Sequence, residues 1–133
     1  MENLNILFVY GTLLEGEYNH SRLAGSRKIA EQVWVKGELY DTGCGYPALY
    51  AEGEQQVYGE LYEVNDAVMQ QVDWLEGYHG PSDPGNHYEK IEIEVFGQSD
   101  SLKALTYVYA FPKTRKIQKI ESGNWRIYGS EGY

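Results

Sequence analysis

The chain has 133 residues, with 20 aspartates and glutamates against 11 lysines and arginines, and therefore a formal net charge of −9. This length predicts a single domain over residues 1–133, because domains commonly span about 100–200 residues. The acidic excess argues against a nucleic-acid partner, since lysine and arginine supply most of the affinity for phosphates. It also argues against binding to an anionic membrane surface.

The cysteine count and the hydropathy exclude further classes of protein. Cys44 is the only cysteine, which excludes intramolecular disulfides and any multi-cysteine metal site. We expect its thiol to be a small buried apolar group rather than a nucleophile. No apolar run approaches the ~20 residues of a membrane span, and the N-terminus lacks the basic and long apolar segments of a signal peptide. These features predict a cytoplasmic protein.

Tyrosine is unusually abundant, with 13 tyrosines against 3 phenylalanines. Because each tyrosine combines an apolar ring with a polar hydroxyl, this excess suits a small core with a wet, hydroxyl-lined cleft. The same excess also fits tyrosines that simply fill strand positions. The composition alone leaves both interpretations open.

The first half of the chain is predicted to be mostly strand. Leu4–Tyr10 is a short apolar run rich in β-forming residues that ends at Gly11, which is typical of a buried strand. A helical turn is predicted over Glu17–Leu23. Pro47 cannot donate to a sheet ladder, so its segment is expected to be a short edge strand. Further strands are predicted over Ile29–Leu39, Tyr46–Tyr50 and Gln56–Val64.

The second half contains the one well-defined helix. Asn65 is predicted to cap its N-terminus, and Gly77 is predicted to end it. The apolar stripe between them consists of Val68, Met69, Val72 and Leu75 at helical spacing. A loop over residues 78–87 follows. Strands are then predicted over Lys90–Phe96 and Lys103–Phe111, and an irregular tail over Ile120–Tyr133. This pattern predicts the α+β class, with a sheet that curls or closes.

Glu76 is the first candidate for chemistry, because it lies at the C-terminal end of the predicted helix. A carboxylate is disfavoured there by about 0.3–1 kcal/mol, since the carbonyl end of a helix carries partial negative charge. Apolar neighbours would also partly desolvate it, and both effects push the pKa of the carboxyl upward. A raised pKa suits general acid/base catalysis near neutral pH. The alternative is an ordinary solvated residue at a helix end.

The second candidate is the turn that leaves the first strand, formed by Tyr10, Gly11, Thr12 and Leu13. The glycine lets the backbone approach a ligand closely. Successive backbone N–H groups in such a turn can hold an anion or a developing oxyanion. The alternative is an ordinary strand-to-loop turn, since the sequence contains neither glycine-rich phosphate-binding motif.

The three histidines, His20, His79 and His87, do not form a recognisable metal-binding motif. His79 and His87 flank the loop over residues 78–87 and could together coordinate a ligand. The interpretation that the spacing favours is a pair of surface loop histidines. No metal site is therefore predicted.

Four segments, in this order, resemble the γ-glutamylcyclotransferase-like superfamily. They are FVYGTLLEGEYN (Phe8–Asn19), GELYDTGCGYPAL (Gly37–Leu49), VYGELYEV (Val57–Val64) and VDWLEGY (Val72–Tyr78). The branch that they resemble contains AIG2-like plant proteins, YtfP-like bacterial proteins and γ-glutamylamine cyclotransferase. The tail segment IESGNW is similar to the C-terminus of YtfP-like members. The resemblance implies a small mixed β-barrel with flanking helices.

The resemblance also implies a reaction that needs no cofactor. The free α-amino group of a small-molecule γ-glutamyl substrate attacks its own side-chain carbonyl, and 5-oxoproline and an amine are released. By this resemblance the acid/base is Glu76, and the turn from Tyr10 to Leu13 binds the substrate. Tyr88 is the tyrosine that the motif places best to orient the glutamyl carboxylate.

The chain departs from the family pattern after Glu76. Tyr88 follows Glu76 by twelve positions instead of a few, and Lys90 stands where the family usually has arginine. Lysine lacks the planar fork with which arginine binds a carboxylate, so substrate recognition is expected to differ. Three functions stay open: a γ-glutamylamine or γ-glutamyl amide cyclotransferase, a non-catalytic carboxylate-binding protein on the same fold, and a protein–protein module. The sequence does not predict the oligomeric state.

Overall fold

The protein has an α+β fold in which strands predominate, as the sequence predicts. The structure is a computed structural model that describes residues 3–130. In chain order the elements are β1 (Leu4–Val9), a 3-10 turn (His20–Leu23), β2 (Arg27–Asp41), β3 (Pro47–Asn65), α1 (Asp66–Leu75), β4 (Tyr88–Phe96), β5 (Ser101–Tyr109), β6 (Gln118–Lys119) and α2 (Trp125–Ser130). Across these residues, no helix has both the length and the apolar character that crossing a membrane requires.

The five long strands form a ring of neighbours. Their order is β3-β1-β5-β4-β2, and β2 also pairs with β3, so that the sheet returns to its starting strand. The β1–β5 pair is parallel, with Leu7 opposite Leu105, whereas the other neighbours are antiparallel. β5, which covers most of the strand predicted over Lys103–Phe111, lies between β1 and β4 and is therefore a central strand of the sheet. The sheet is therefore mixed and ring-like.

Two apolar clusters lie on opposite faces of β1, because successive side chains of a strand point to opposite sides. Phe8 and Tyr10 belong to a cluster with members from all five long strands, which fills the interior of the ring. Leu7 and Val9 belong to the other cluster, which packs the outside of the sheet against α1. This outer cluster packs α1 against β1, so the C-terminal part of β1 lies next to the helix.

Helix α1 begins and ends where local sequence signals place its limits. The Asn65 side chain accepts a hydrogen bond of 2.8 Å from the backbone N–H of Val68, which caps the N-terminus. Met69 and Val72, from the predicted apolar stripe, are buried. The prediction of this helix and of its N-cap is confirmed.

The two strands predicted over Tyr46–Tyr50 and Gln56–Val64 are in fact one strand, β3. Its register on β2 jumps between Gly37 and Glu38, so residues 51–54 bulge out of the ladder. Gly53 adopts a φ of 93° in this bulge, which glycine tolerates without steric cost. Pro47 is the first residue of the strand, where its missing N–H does not interrupt the ladder.

The tail predicted to be irregular over Ile120–Tyr133 contains a helix within residues 120–130, contrary to the prediction, whereas residues 131–133 lie outside the described residues. Gln118–Lys119 adds a short strand to β2, and Trp125–Ser130 forms α2. Ile120 is buried in the core inside the ring. The Arg126 guanidinium donates to the carboxylate of buried Glu60 at 2.8 Å. These long-range contacts order a segment whose local sequence has no periodic pattern.

The prediction of a buried thiol at Cys44 is wrong, because this side chain is exposed. It lies in the turn between β2 and β3. The flanking residues Gly43 and Gly45 have φ values of 81° and 92°. Only glycine adopts such angles readily, and the tight turn that they form leaves the intervening cysteine on the surface.

Candidate active site

The C-terminus of α1 places Glu76 by a specific backbone motif. The N–H of Gly77 donates to the carbonyl of Trp74 at 3.1 Å, and the N–H of Tyr78 donates to the carbonyl of Asp73 at 2.9 Å. This pair of bonds, with Gly77 at a φ of 64°, is a Schellman motif. It ends the helix directly after Glu76, as the sequence predicts, and turns the chain into the loop over residues 78–87.

Glu76 lies in a cleft composed of two adjoining cavities. The inner cavity has a volume of about 30 Å³ and borders the turn after β1. The outer cavity has a volume of about 340 Å³, which is within the usual range for small-molecule sites. The residues that line both cavities are Thr12, Tyr46, Glu76 and Tyr88.

The turn from Tyr10 to Leu13 forms one wall of the inner cavity. The N–H of Leu14 closes it by donating to the carbonyl of Gly11 at 3.1 Å. Asn19 braces it from outside, since its side-chain amide donates to Thr12 Oγ1 at 3.0 Å. A Cβ atom at Gly11 would lie 2.7 Å from the ring of Pro47. The close approach that the glycine permits here is therefore to the start of β3.

The carboxyl of Glu76 has a strongly perturbed acidity. Burial among the cleft residues raises its pKa from 4.5 to about 7, because desolvation disfavours the charged form. Glu76 also lines the outer cavity, which provides a route for protons and water to this residue. The predicted direction is correct, and burial is its dominant cause.

Four of the tyrosines line the inner cavity around Glu76: Tyr10, Tyr46, Tyr88 and Tyr107. Burial raises the pKa of each phenol, and the nearby Glu76 carboxylate adds to the effect. All four hydroxyls therefore keep their protons at neutral pH. The tyrosine excess therefore includes residues that line a cleft, which was one of the two interpretations of the composition.

Two of these hydroxyls are engaged by the backbone. Tyr10 Oη donates to the carbonyl of Tyr107 at 2.6 Å, and Tyr88 Oη donates to the carbonyl of Pro47 at 2.7 Å. Both residues are buried. These bonds tie β1 to β5 and β4 to β3 beside the cleft, and they fix the two rings as walls of the inner cavity.

His87 is a cleft residue that the sequence does not reveal. Its Nε2 and Tyr46 Oη share a hydrogen bond of 3.0 Å, and both residues line the outer cavity. The backbone N–H of His87 donates to the carbonyl of Gly77 at 2.9 Å. The interpretation of His87 as a surface loop residue is wrong, because the loop folds back onto the end of α1 and His87 is only partly exposed. His79, the other histidine of this loop, is exposed, as that interpretation holds.

Lys90, the residue that the resemblance places where an arginine is expected, does not line either cavity. Its Nζ contacts both carboxylate oxygens of Asp73 at 3.0 Å, and it lies 4.9 Å from the ring centre of Tyr78. The hydroxyl of Tyr107 also donates to Asp73. Lys90 thus neutralises the carboxylate that holds Tyr107 in the wall of the inner cavity.

A separate group of carboxylates has the spacing of a metal site. Ligand atoms of Glu15, Glu31 and Glu60 lie within 4.8 Å of one another. The ammonium of Lys28 already lies among them and forms ion pairs with all three. A lysine at the centre of an acidic group takes the place that a cation would need, so this group does not indicate a metal site.

Comparison with known proteins identifies the family. Residues 7–127 match the family described as "Gamma-glutamyl cyclotransferase, AIG2-like". A gamma-L-glutamyl-butirosin B gamma-glutamyl cyclotransferase from Niallia circulans is 43% identical over 77% of the chain. The match covers 65% of that relative's length, so the chain spans about two thirds of it. A putative gamma-glutamylcyclotransferase from Vibrio cholerae is 37% identical over 91% of the chain and 95% of its own length.

A solved structure supports the same assignment. The crystal structure of YkqA from Bacillus subtilis superposes on 95% of the chain with a TM-score of 0.74 at 32% identity, and the match covers 41% of that larger chain. The chain therefore belongs to the gamma-glutamyl cyclotransferase, AIG2-like family. This confirms both the resemblance and the class of fold that the sequence predicts.

Proposed function

We propose that the protein is a γ-glutamyl cyclotransferase that converts a γ-glutamyl amide into 5-oxoproline and a free amine. The observation that carries this proposal is the position of Glu76, a carboxyl with a pKa of about 7, in a cleft opposite a turn of backbone N–H groups. Relatives that bear the name of this activity support it.

Glu76 acts as the acid/base in the proposed mechanism. Its ionised form removes a proton from the α-ammonium group of the substrate, and the freed lone pair attacks the side-chain carbonyl carbon. The new bond joins the α-nitrogen to this carbon. The bond from the carbon to the leaving nitrogen then breaks as Glu76 returns its proton to that nitrogen. The ring nitrogen loses a second proton when the lactam forms, and the released amine takes it up and leaves as an ammonium ion. Both protons lost by the α-ammonium group are thus found on the amine.

The turn after β1 provides the oxyanion site. The negative charge that develops on the carbonyl oxygen is stabilised by the backbone N–H groups of Gly11, Thr12 and Leu13. Within residues 3–130, none of these three N–H groups donates a backbone hydrogen bond. The inner cavity, at about 30 Å³, has the size of one oxygen atom or water. Since the attack is intramolecular, the protein contributes mainly by folding the substrate into a reactive shape.

Tyr88 contributes to substrate orientation in this proposal. Tyr88 lines both cavities together with Glu76, and its hydroxyl can exchange its bond with the Pro47 carbonyl for one with the substrate carboxylate. Tyr88→Phe is therefore expected to raise KM by about tenfold, the effect of losing one hydrogen bond to a charged group, and to change kcat less.

The direct test is the release of 5-oxoproline from γ-glutamyl methylamide and larger γ-glutamyl amides, measured by chromatography. Wild-type protein should form 5-oxoproline and the amine in equal amounts, and Glu76→Gln should lose at least about 100-fold in kcat. Glu92→Gln, which alters an exposed carboxylate on β4, is the matched control. Binding of these amides without turnover would instead support the non-catalytic binding function.

A further inference from the structure

We propose that the outer cavity is the subsite for the leaving amine, and that Trp74 and Tyr18 at its mouth favour amines that carry a ring and no carboxylate. This inference rests on the proposed function, because it assigns the part of the substrate that leaves. It concerns residues that do not take part in proton transfer.

The sizes of the two cavities determine which part of the substrate each one can hold. The inner cavity, at about 30 Å³, accommodates the carbonyl oxygen but not a side chain. The outer cavity is about 340 Å³ and meets the inner one at Glu76. A carbonyl carbon beside Glu76 must therefore direct the remainder of the substrate, including the leaving amine, into the outer cavity.

The mouth of the outer cavity carries two exposed aromatic side chains. Trp74, on the last turn of α1, is 71% exposed, and Tyr18, in the segment after β1, is 74% exposed. Large aromatic side chains gain stability from burial, so leaving two of them exposed at one cavity forgoes that gain. Such a pair is typical of a surface that a ring covers when ligand binds.

The charge around the cavity selects against a carboxylate on the leaving group. The residues that line the outer cavity besides Glu76 are aromatic, apolar or uncharged polar residues, and His87. Arg22 lies 5.8 Å from the ring centre of Trp74 but lines the neighbouring groove. Lys90 is bound by Asp73. The carboxylate of a γ-glutamyl amino acid would therefore face Glu76 with neither a lysine nor an arginine in the lining of the outer cavity.

The test compares three substrates that differ only in the leaving group: γ-glutamyl benzylamide, γ-glutamyl methylamide and γ-glutamyl phenylalanine. For wild-type protein we expect kcat/KM for the benzylamide to exceed the other two by about 2- to 10-fold, the range that one aromatic contact provides. Trp74→Ala and Tyr18→Ala should each reduce this preference, with the methylamide rate unchanged within about twofold.

Two further variants separate stacking from folding. Trp74→Phe keeps an aromatic ring and should retain most of the preference. Leu102→Ala removes an exposed apolar side chain from β5 and should leave all three rates unchanged. Equal kcat/KM for the three substrates, or an equal loss on all three in Trp74→Ala, would overturn the inference while leaving the proposed function intact.

A binding measurement keeps the inference testable without turnover. The Glu76→Gln protein is titrated with the same three compounds by calorimetry, alone and combined with Trp74→Ala. We expect the benzylamide to bind most tightly and to lose about 2- to 10-fold in affinity when Trp74 is removed. If no compound yields 5-oxoproline, the proposed function fails. If the three compounds bind equally or not at all, the inference fails.

Discussion

Replacing Glu76 by glutamine should remove catalysis and at the same time make the folded protein more stable above neutral pH. The two effects have one cause, because burial in the cleft raises the pKa of this carboxyl from 4.5 to about 7. The folded protein therefore holds a proton on Glu76 at pH values where the unfolded chain has released it. Glutamine is nearly the same size but carries no charge to desolvate.

The sign of the stability effect follows from proton linkage. Below about pH 4.5 the carboxyl is protonated in both states and imposes no penalty. As pH rises towards 7, the unfolded chain gains the more favourable ionisation, so the folded state loses stability. Each tenfold change in a protonation equilibrium is worth about 1.4 kcal/mol. The wild-type penalty above about pH 7 is thus about 2 to 3 kcal/mol, since solvent reaches part of the group.

Urea unfolding at about pH 5.5 and pH 8 measures this effect. Between these pH values, wild-type protein should lose about 2 kcal/mol more stability than Glu76→Gln. Glu92→Gln should behave like wild type, because its carboxylate is on the exposed face of β4. For catalysis, kcat/KM for 5-oxoproline formation should rise with pH and level off above about 7, since the base must be ionised.

The reasoning is refuted by any of three results. Turnover by Glu76→Gln at the wild-type rate would remove the role of Glu76 as acid/base. A pH dependence of stability in Glu76→Gln equal to that of wild type would mean that burial does not raise the pKa of Glu76. A kcat/KM profile with no inflection between about pH 6 and 8 would place the essential ionisation elsewhere.

Three other substitutions test what holds the cleft together. Gly77→Ala should lower stability by about 1–3 kcal/mol and reduce activity, because Gly77 has a φ of 64° and a Cβ would lie 2.9 Å from that of His87. Lys90→Met removes the ammonium from the Asp73 carboxylate, which keeps only the Tyr107 hydroxyl, and should cost about 1–3 kcal/mol in urea unfolding, with KM changed less than about twofold. Asn65→Ala removes the helix cap and should cost about 1 kcal/mol by the same measurement, with kcat retained.

Controls for these substitutions are available in the same chain. Gly16→Ala has a comparable positive φ with open space around it, so it measures backbone strain without the His87 contact. An equal loss of activity in Gly16→Ala and Gly77→Ala would contradict the role given to that contact. A tenfold rise in the KM of Lys90→Met would show that Lys90 takes part in substrate recognition. For Asn65, unchanged stability would show that the cap is dispensable.

Features set by neighbours in sequence were predictable. The cap at Asn65, the apolar stripe of α1 and the stop at Gly77 follow from local hydrogen bonding and helical periodicity. Gly59, inside the predicted strand Gln56–Val64, allows a close backbone approach, since a Cβ there would lie 2.1 Å from the carbonyl oxygen of Val9. The place of Glu76 at the end of the helix predicted the direction of its pKa change.

Features set by contacts between distant segments were not predictable. Residues 51–54 lie between two segments that were predicted as separate strands, and pairing of both segments with β2 makes them one strand, β3. His87 has no metal-like or catalytic spacing, and it reaches Tyr46, 41 positions away, only because the loop folds onto α1. Lys90 was expected to bear on substrate recognition, yet it pairs with Asp73, 17 positions earlier.

The acidic composition illustrates the same division. By itself the sequence determined that the chain has 20 carboxylates, that one of them ends the only well-patterned helix, and that its pKa should be raised. Only the tertiary structure decided the cause and the size of that change. Burial depends on side chains brought from β1, β3, β4 and β5, and desolvation by these partners, rather than the helix end, brings the pKa of Glu76 to about 7.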